Sequence, residues 1–142
     1  MSTLERAIAI AAQAHAGQMD KANQPYVLHP LRVMLGVKSE AERITAVLHD
    51  VVEDCEGWDF QRLIGEGFSS EIIEALKSVT KIEGESYEDF VKRAAANPIG
   101  RRVKLSNLTD NSDMSRIPSP TAKDFERLER YKRAMAYIQS LA

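Results

Sequence analysis

The sequence predicts an all-α fold, a compact bundle of about six to eight helices. Apolar residues recur at helical spacing in almost every segment, and no stretch alternates convincingly between apolar and polar residues as a half-buried strand does. Capping residues and glycine or proline breaks separate these segments at short intervals. Residues 1–142 are expected to form one domain, because a chain of this length can bury about two thirds of its unfolded surface in a single core.

The first helix is expected to open at a capping box formed by Ser2 and Glu5. Its apolar stripe continues to His15, after which a glycine ends the helix. Because His15 lies on that stripe, we interpret it as a buried histidine or as a partner of a metal ligand, in preference to a ligand itself.

A polar stretch without periodicity at 18–29 predicts a loop. Pro30 is then the natural first residue of the second helix, with His29 at its cap. A histidine at such a rigid junction has a fixed direction, although most residues of this kind are structural. A second capping box, Ser39 with Glu42, opens the third helix.

The third helix carries the densest group of polar side chains in an otherwise apolar segment. Four of them share one arc of about 140° if residues 44–55 form one continuous helix. They are His49, Asp50, Glu53 and Asp54. The valines and leucines of the segment face the opposite way, toward a core. The polar side can bind a cation, and the same pattern also fits an ordinary solvated helix face.

The remaining helices are predicted from capping residues and chain breaks. Their starts are expected at Asp59, Ser69 or Ser70, Ser86, Pro98 and Thr121. The last of these helices should run nearly to the C-terminus, because its apolar residues keep helical spacing to Ile138.

Composition narrows the classes of function. The formal net charge of −2 argues against bulk binding to nucleic acid, which normally requires a strongly basic domain, but it leaves a local phosphate pocket open. Cys55 is the single cysteine, so an internal disulfide and a cysteine-based zinc cluster are excluded. The N-terminus lacks a signal-peptide pattern, and no run of about eighteen apolar residues occurs. A cytoplasmic protein without a membrane segment is therefore expected.

Two histidines and one aspartate form a reasonable ligand set for a divalent transition metal, since imidazole and carboxylate suit Mn, Fe, Co and Zn. They are His29, His49 and Asp50. A fourth ligand is expected from a later polar helix face on which Asn107 and Asn111 lie one turn apart. An asparagine pair in that position is more often without function.

Four motifs occur in a fixed order along the chain. They are AHAGQ at 14–18, PYVLHP at 25–30, LHDVVED at 48–54 and VKLxxxxxN at 103–111. This ordered set resembles the HD-domain metal-dependent phosphohydrolases, and in particular the hydrolase domain of the RelA/SpoT-type alarmone (ppGpp) hydrolases and their small stand-alone relatives. The resemblance implies an HD-type helical bundle over residues 1–142 and hydrolysis of a nucleotide or small phosphorylated compound, with ppGpp-like 3′-pyrophosphate removal as the best single candidate.

The resemblance also implies roles for individual positions. The metal ligands of the family fall on His29, His49, Asp50 and Asn107. The acidic pair that activates water and handles protons falls on Glu53 and Asp54, the substrate-facing lysine on Lys21, and the asparagine that contacts the nucleotide on Asn111. The implied cofactor is a divalent ion, with Mn²⁺ as first choice and Fe, Co or Zn as alternatives.

Two positions depart from the family pattern. Asn107 replaces an aspartate, so the ligand set carries one negative charge instead of two, and metal affinity should fall by at least about 10–100-fold. Asp110 lies nearby and is a candidate to compensate for Asn107, although its helical offset disfavours direct ligation. Asp20 replaces the arginine that packs on guanine, which weakens the case for a guanine nucleotide.

These departures keep a second interpretation open. In it, the chain is a degenerate HD domain with a weakened metal site that serves as a nucleotide-binding or protein-interaction module. A purely structural helical protein with coincidental motifs is the remaining alternative. The expected partner is a small phosphorylated substrate, with a nucleotide as first choice, and homo-oligomerisation is left open.

Overall fold

The computed structural model describes residues 2–141, which form nine α-helices and one short 3-10 helix. The α-helices are α1 (Leu4–Ala14), α2 (Leu28–Leu35), α3 (Glu40–Leu48), α4 (Val51–Asp54), α5 (Phe60–Gly65), α6 (Ser70–Ser78), α7 (Tyr87–Ala96), α8 (Pro98–Asn111) and α9 (Ala122–Ser140). The 3-10 helix, Met114–Arg116, connects α8 to α9. Within this part of the chain there is no strand, only one isolated bridge between Met19 and Pro25. The all-α prediction is confirmed.

Helix α3 occupies the centre of the molecule and packs against α1, α2, α6 and α8. Its residues Ile44, Val47 and Leu48 are almost completely buried, as the apolar face of the third helix predicted. A second apolar cluster joins α7, α8 and α9 through Val91 and Ile138 and their neighbours. None of the helices between residues 2 and 141 has the length and hydropathy needed to cross a membrane.

Most predicted helix starts are correct, because local capping chemistry decides them. The capping box of Ser39 and Glu42 is present, and Thr121 forms a second one at the start of α9. The predicted cap at Ser2 is wrong. Thr3 caps α1 instead, with its side-chain oxygen accepting the backbone N–H of Arg6, while the Ser2 hydroxyl donates to a distant loop carbonyl.

Helix α2 begins two residues earlier than predicted. It opens at Leu28, so His29 and Pro30 lie inside its first turn instead of at its boundary. Proline is tolerated there because the first backbone N–H groups of a helix have no intrahelical acceptor. Both residues are buried, which directs the His29 ring into the protein.

The prediction of one continuous helix over residues 44–55 is wrong, and the break explains why nine helices are found instead of six to eight. Helix α3 ends at Leu48, and Asp50 has φ −101° and ψ −1° before α4 starts. At the break, the His49 ring nitrogen Nδ1 bonds to the carbonyl oxygen of Ala46 at 2.6 Å. Side chains that bond to nearby backbone groups compete with the helical pattern. The side chains of His49 and Asp50 therefore project from this break and contribute to the same site.

Candidate active site

The structure brings together the two histidines and the aspartate that the sequence singled out. One ligand atom from each of His29, His49 and Asp50 lies within 4.8 Å of the others, and all three residues are buried. Helix α2 supplies His29, and the break between α3 and α4 supplies the other two. This cluster is a candidate site for a divalent metal ion.

His49 has the protonation pattern of a metal ligand. Because a carbonyl oxygen can only accept, the contact with Ala46 assigns the ring proton to Nδ1. Nε2 then carries a free lone pair, is buried and has no hydrogen-bond partner among residues 2–141. It lies 3.1 Å from Oδ2 of Asp50. Burial opposes protonation of the ring, but Asp50 outweighs it and raises the pKa of His49 above its usual value, so the carboxylate attracts a cation to Nε2, whether that cation is a proton or a metal ion.

His29 and Asn107 present a second pair of acceptor atoms to the same space. Nδ1 of His29 lies 2.6 Å from a carboxylate oxygen of Asp110, which assigns the proton to Nδ1 and leaves the Nε2 lone pair free. Nε2 lies 2.9 Å from Oδ1 of Asn107, and that oxygen also accepts from the side-chain amide of Asn111 at 3.3 Å. Two acceptors at this separation repel each other unless a cation lies between them.

The distances within the cluster fit a bound cation. Metal–ligand bonds of about 2.1 Å place neighbouring ligand atoms about 3.0–3.4 Å apart. The separations in the structure lie on either side of this range, at 2.9 Å from His29 to Asn107, 3.1 Å from His49 to Asp50 and 3.8 Å from His29 to Asp50. The donor set of two imidazoles, one carboxylate and one amide oxygen therefore suits a divalent transition metal.

Asp50 is held in its ionised form. Burial opposes ionisation, but His49, a hydrogen bond from the Tyr26 hydroxyl at 2.6 Å and His29 together hold the pKa of Asp50 well below its usual range. The pKa of Tyr26 is correspondingly raised, mainly by burial and by Asp50, so the phenol keeps its proton and remains a donor. Tyr26 belongs to the PYVLHP motif, but the sequence alone indicates no role for its hydroxyl.

The predicted acidic pair lies on α4, directly after the candidate ligand Asp50. The pKa values of Glu53 and Asp54 are both raised. Partial burial is the main cause, and the negative charge of Asp50 is the second. At Asp54, the histidines His15, His49 and His29 oppose this rise in pKa. A carboxylate with a raised pKa is better suited to accept and release a proton near neutral pH.

His15 lies outside the metal cluster, as the sequence predicted. It is buried, with Nδ1 2.7 Å from the side-chain oxygen of Gln18 and 3.3 Å from the sulfur of Cys55. The amide of Gln18 donates to the backbone carbonyl of Asp54 at 3.0 Å. His15 therefore supports the C-terminal end of α4 through Gln18.

A cleft of about 310 Å³ opens beside His29. Both predicted substrate-facing residues, Lys21 and Asn111, line it. The Lys21 side chain is 62% exposed and its ammonium lies 3.7 Å from Asp124, so it can turn toward a ligand at little cost. Three arginines that the sequence did not single out also line the cleft: Arg32, Arg116 and Arg127.

Asp20, the departure from the family pattern, has a local structural role. One oxygen of its carboxylate accepts from the backbone N–H groups of Ala22 and Gln24, both at 2.9 Å. These bonds shape the loop before α2, and they compete with any ligand for the carboxylate. The residue lines the cleft, so it still adds negative charge there.

Sequence reasoning assigned no role to Lys104 and weighed Asp110 only as a direct ligand. Asp110 bonds to His29, and Lys104 is a buried lysine whose ammonium lies 4.1 Å from the centre of the Phe90 ring. Burial lowers the pKa of Lys104 to about 8, against the opposing effect of Glu53 and Asp50. Both residues are three positions away from Asn107 on α8, a helical spacing that could have indicated a shared face.

Comparison with known proteins gives consistent results. The chain is 31% identical over 121 residues to a guanosine-3′,5′-bis(diphosphate) 3′-pyrophosphohydrolase of Aquifex aeolicus, which covers 76% of this chain and 17% of the relative. It is 30% identical over 135 residues to the bifunctional (p)ppGpp synthase/hydrolase SpoT of Escherichia coli K12, covering 87% of this chain and 19% of the relative. This chain thus spans less than a fifth of the length of either relative.

A solved structure and a family model extend the comparison to nearly the whole chain. The structure of a metazoan ortholog of SpoT, described as hydrolysing ppGpp, superimposes with a TM-score of 0.80 at 20% sequence identity, covering 97% of this chain and 85% of that one. The model of the HD domain matches residues 7–136. The resemblance to RelA/SpoT-type hydrolases is confirmed, and the chain belongs to the HD domain family.

Proposed function

We propose that this protein is a metal-dependent phosphohydrolase that removes pyrophosphate from the 3′ position of a ppGpp-like nucleotide. The buried Nε2 of His49 carries the proposal, because no donor bonds to it and it lies in one cluster with acceptor atoms of His29 and Asp50, with Asn107 beside His29. Buried polar atoms normally have a partner, and a cation supplies one. The named relatives, which act on guanosine bis(diphosphate), support the choice of substrate.

We propose that His29, His49, Asp50 and Asn107 hold the metal ion. Mn²⁺ is the first choice, and Fe, Co and Zn fit the same donor set. A divalent ion in this place supplies Lewis acidity toward a phosphoryl oxygen and lowers the pKa of water. The buried surroundings of Asp50 strengthen its attraction for such an ion.

The other residues divide between water activation and substrate binding. Glu53 and Asp54 orient the attacking water and take up its proton, a role that their raised pKa values support. Lys21 neutralises phosphate charge as a point cation, and Asn111 donates or accepts a hydrogen bond at the sugar or base. Arg32 and the other cleft arginines add phosphate-binding capacity.

The proposal is tested by titrating metal-free protein with Mn²⁺ and then measuring pyrophosphate release from ppGpp, with GTP and other phosphorylated nucleotides in parallel. We expect close to one bound ion per chain and selective release from ppGpp. His49→Gln should lose both ion binding and activity. His15→Gln, which alters a buried histidine outside the cluster, should keep ion binding. An empty site in the wild-type protein after titration contradicts the proposal.

Asn107 favours one alternative, a degenerate HD domain that binds a nucleotide or a protein without hydrolysing it. The site holds one ligating carboxylate, Asp50, which weakens its attraction for divalent ions. Nucleotide binding without turnover at saturating Mn²⁺ supports this alternative.

Three further expectations stay predictions. Residues 1–142 are proposed to fold as one domain, the protein is expected in the cytoplasm, and its oligomeric state is left to measurement. Size-exclusion chromatography with light scattering determines the last of these.

A further inference from the structure

Asp110 occupies a position between the metal cluster and the cleft. Its Oδ2 accepts from Nδ1 of His29 at 2.6 Å, and its Oδ1 accepts from the guanidinium of Arg32 at 2.7 Å. A nitrogen of Arg116 lies 3.4 Å from Oδ1. The Asp110 side chain is only 10% exposed. The carboxylate is therefore held in place from three sides.

This contact sets the direction and charge distribution of the His29 ring. A carboxylate that accepts from Nδ1 fixes the proton there, turns the Nε2 lone pair toward the ligand cluster and makes the ring a stronger donor to a metal. His49 has a neutral backbone carbonyl in the same place. Of these two histidines, His29 is thus the one whose Nδ1 bonds to an anion.

The anionic partner of His29 matters because the metal ligands of this chain carry one negative charge fewer than the family pattern. The family pattern has two carboxylates that touch the metal, and this chain has Asp50 and the neutral Asn107. Asp110 supplies a second negative charge, 2.6 Å behind His29. Arg32 and Arg116 offset part of this charge, but their side chains are 32% and 31% exposed, so water screens them more than it screens the buried carboxylate.

We propose that Asp110 is a positioning residue that compensates for Asn107. Its carboxylate supplies a second negative charge on the far side of His29 and not among the atoms that touch the metal. From there it orients the ring and strengthens metal binding. This inference rests on the proposed function, because it requires that the cluster binds a divalent ion.

A purely structural role for Asp110 makes different predictions. Arg116 also donates to the Asp110 backbone carbonyl at 2.9 Å, so Asp110 helps to fix the connection between α8 and α9. If Asp110 served only that connection, its side-chain charge would affect folding stability and not metal affinity. Asp113 is a matched control, since it pairs with Arg116 at 2.9 Å, whereas the hydrogen-bond partners of the His29 ring are Asp110 and Asn107.

The test measures Mn²⁺ affinity by isothermal titration calorimetry, with thermal unfolding in EDTA as a separate measure of stability. Asp110→Asn should weaken binding about 10–100-fold, the usual effect of losing such a partner. Asp113→Asn should leave the affinity unchanged. Adding Asn107→Asp to Asp110→Asn should restore most of the lost affinity, because it returns the charge to the ligand set.

Two results overturn the inference while leaving the proposed function intact. One is wild-type affinity in Asp110→Asn, and the other is failure of Asn107→Asp to rescue that variant. A wild-type protein that binds no divalent ion overturns both proposals. If Asp110→Asn does not fold, the ¹⁵N shifts of His29 in the metal-free wild-type protein decide the matter. A proton on Nδ1 supports the inference, and a proton on Nε2 overturns it.

Discussion

Replacing Lys104 with methionine is expected to make the protein more stable at neutral pH. The lysine is 6% exposed, and its ammonium lies 4.1 Å from the centre of the Phe90 ring. Methionine keeps most of the unbranched side chain and its packing against the ring, and it removes the charge. The variant therefore tests what the buried charge contributes to folding.

The size of the effect follows from the pKa of Lys104. Burial lowers it from the usual 10.5 to about 8, even though Glu53 and Asp50 act in the opposite direction. A difference of this size corresponds to about 3 kcal/mol of unfavourable free energy for the charged amine in the folded state. Lys104→Met should raise the free energy of unfolding at pH 7 by up to about 3 kcal/mol, which is about 6–12 °C in Tm.

The pH dependence gives a sharper signature than a single stability value. The folded state holds the Lys104 proton less tightly than the unfolded state, so wild-type stability from this group rises as pH increases from about 8 to about 10.5. The advantage of Lys104→Met should be complete below pH 8 and should vanish above pH 10.5. Urea unfolding in EDTA between pH 7 and pH 11 measures both limits.

Lys132→Met is the matched control, because Lys132 is 59% exposed and pairs only with Glu129 on the same helix. It should show no stability difference that depends on pH. If Lys104→Met is less stable than the wild type at pH 7, or if its advantage does not change with pH, the buried charge is not the cause and the reasoning is refuted. We also expect lower hydrolytic activity, because a cation near Glu53 and Asp50 is lost.

Three further substitutions test the site and the fold. Asn107→Asp should raise Mn²⁺ affinity by at least about tenfold and increase the hydrolytic rate, as measured by calorimetry and pyrophosphate release, whereas Thr109→Asp on the same helix should change neither. Glu53→Gln should lower kcat about 10²–10⁴-fold with unchanged Mn²⁺ affinity, and Glu56→Gln serves as its control. Ser39→Ala removes a cap of α3 and should cost about 1 kcal/mol in urea unfolding; an unchanged midpoint contradicts the importance of that cap.

The helices were predictable where short-range chemistry decides them. The capping box of Ser39 and the cap at Ser86 lie where the sequence indicated, since each needs only a side-chain oxygen and a backbone N–H three residues later. The start of α1 was assigned to the wrong residue because Ser2 has another acceptor, a carbonyl from residue 66, far away in sequence. Local capping rules cannot anticipate such a competitor.

The residues of the candidate site could be predicted from the sequence, but the hydrogen bonds among their neighbours could not. His29, His49, Asp50 and Asn107 converge as the motifs implied. The role of Asp110 was missed because its carboxylate was considered only as a direct ligand. Its contact with His29 joins residues that are 81 positions apart, and helical spacing along α8 contains no information about α2.

The break after Leu48 shows why tertiary contacts override periodicity at this site. A continuous helix would satisfy the backbone of residues 44–55, whereas in the broken segment the Asp50 carboxylate accepts from the Tyr26 hydroxyl and lies near the histidine pair, contacts that keep it ionised. An unpaired buried carboxylate costs several kcal/mol, whereas a missing helical hydrogen bond costs about 0.5–1.5 kcal/mol. The loss of one or two helical hydrogen bonds at the break is therefore the smaller cost. At the same break, Nε2 of His49 is left in the ligand cluster without a hydrogen-bond partner.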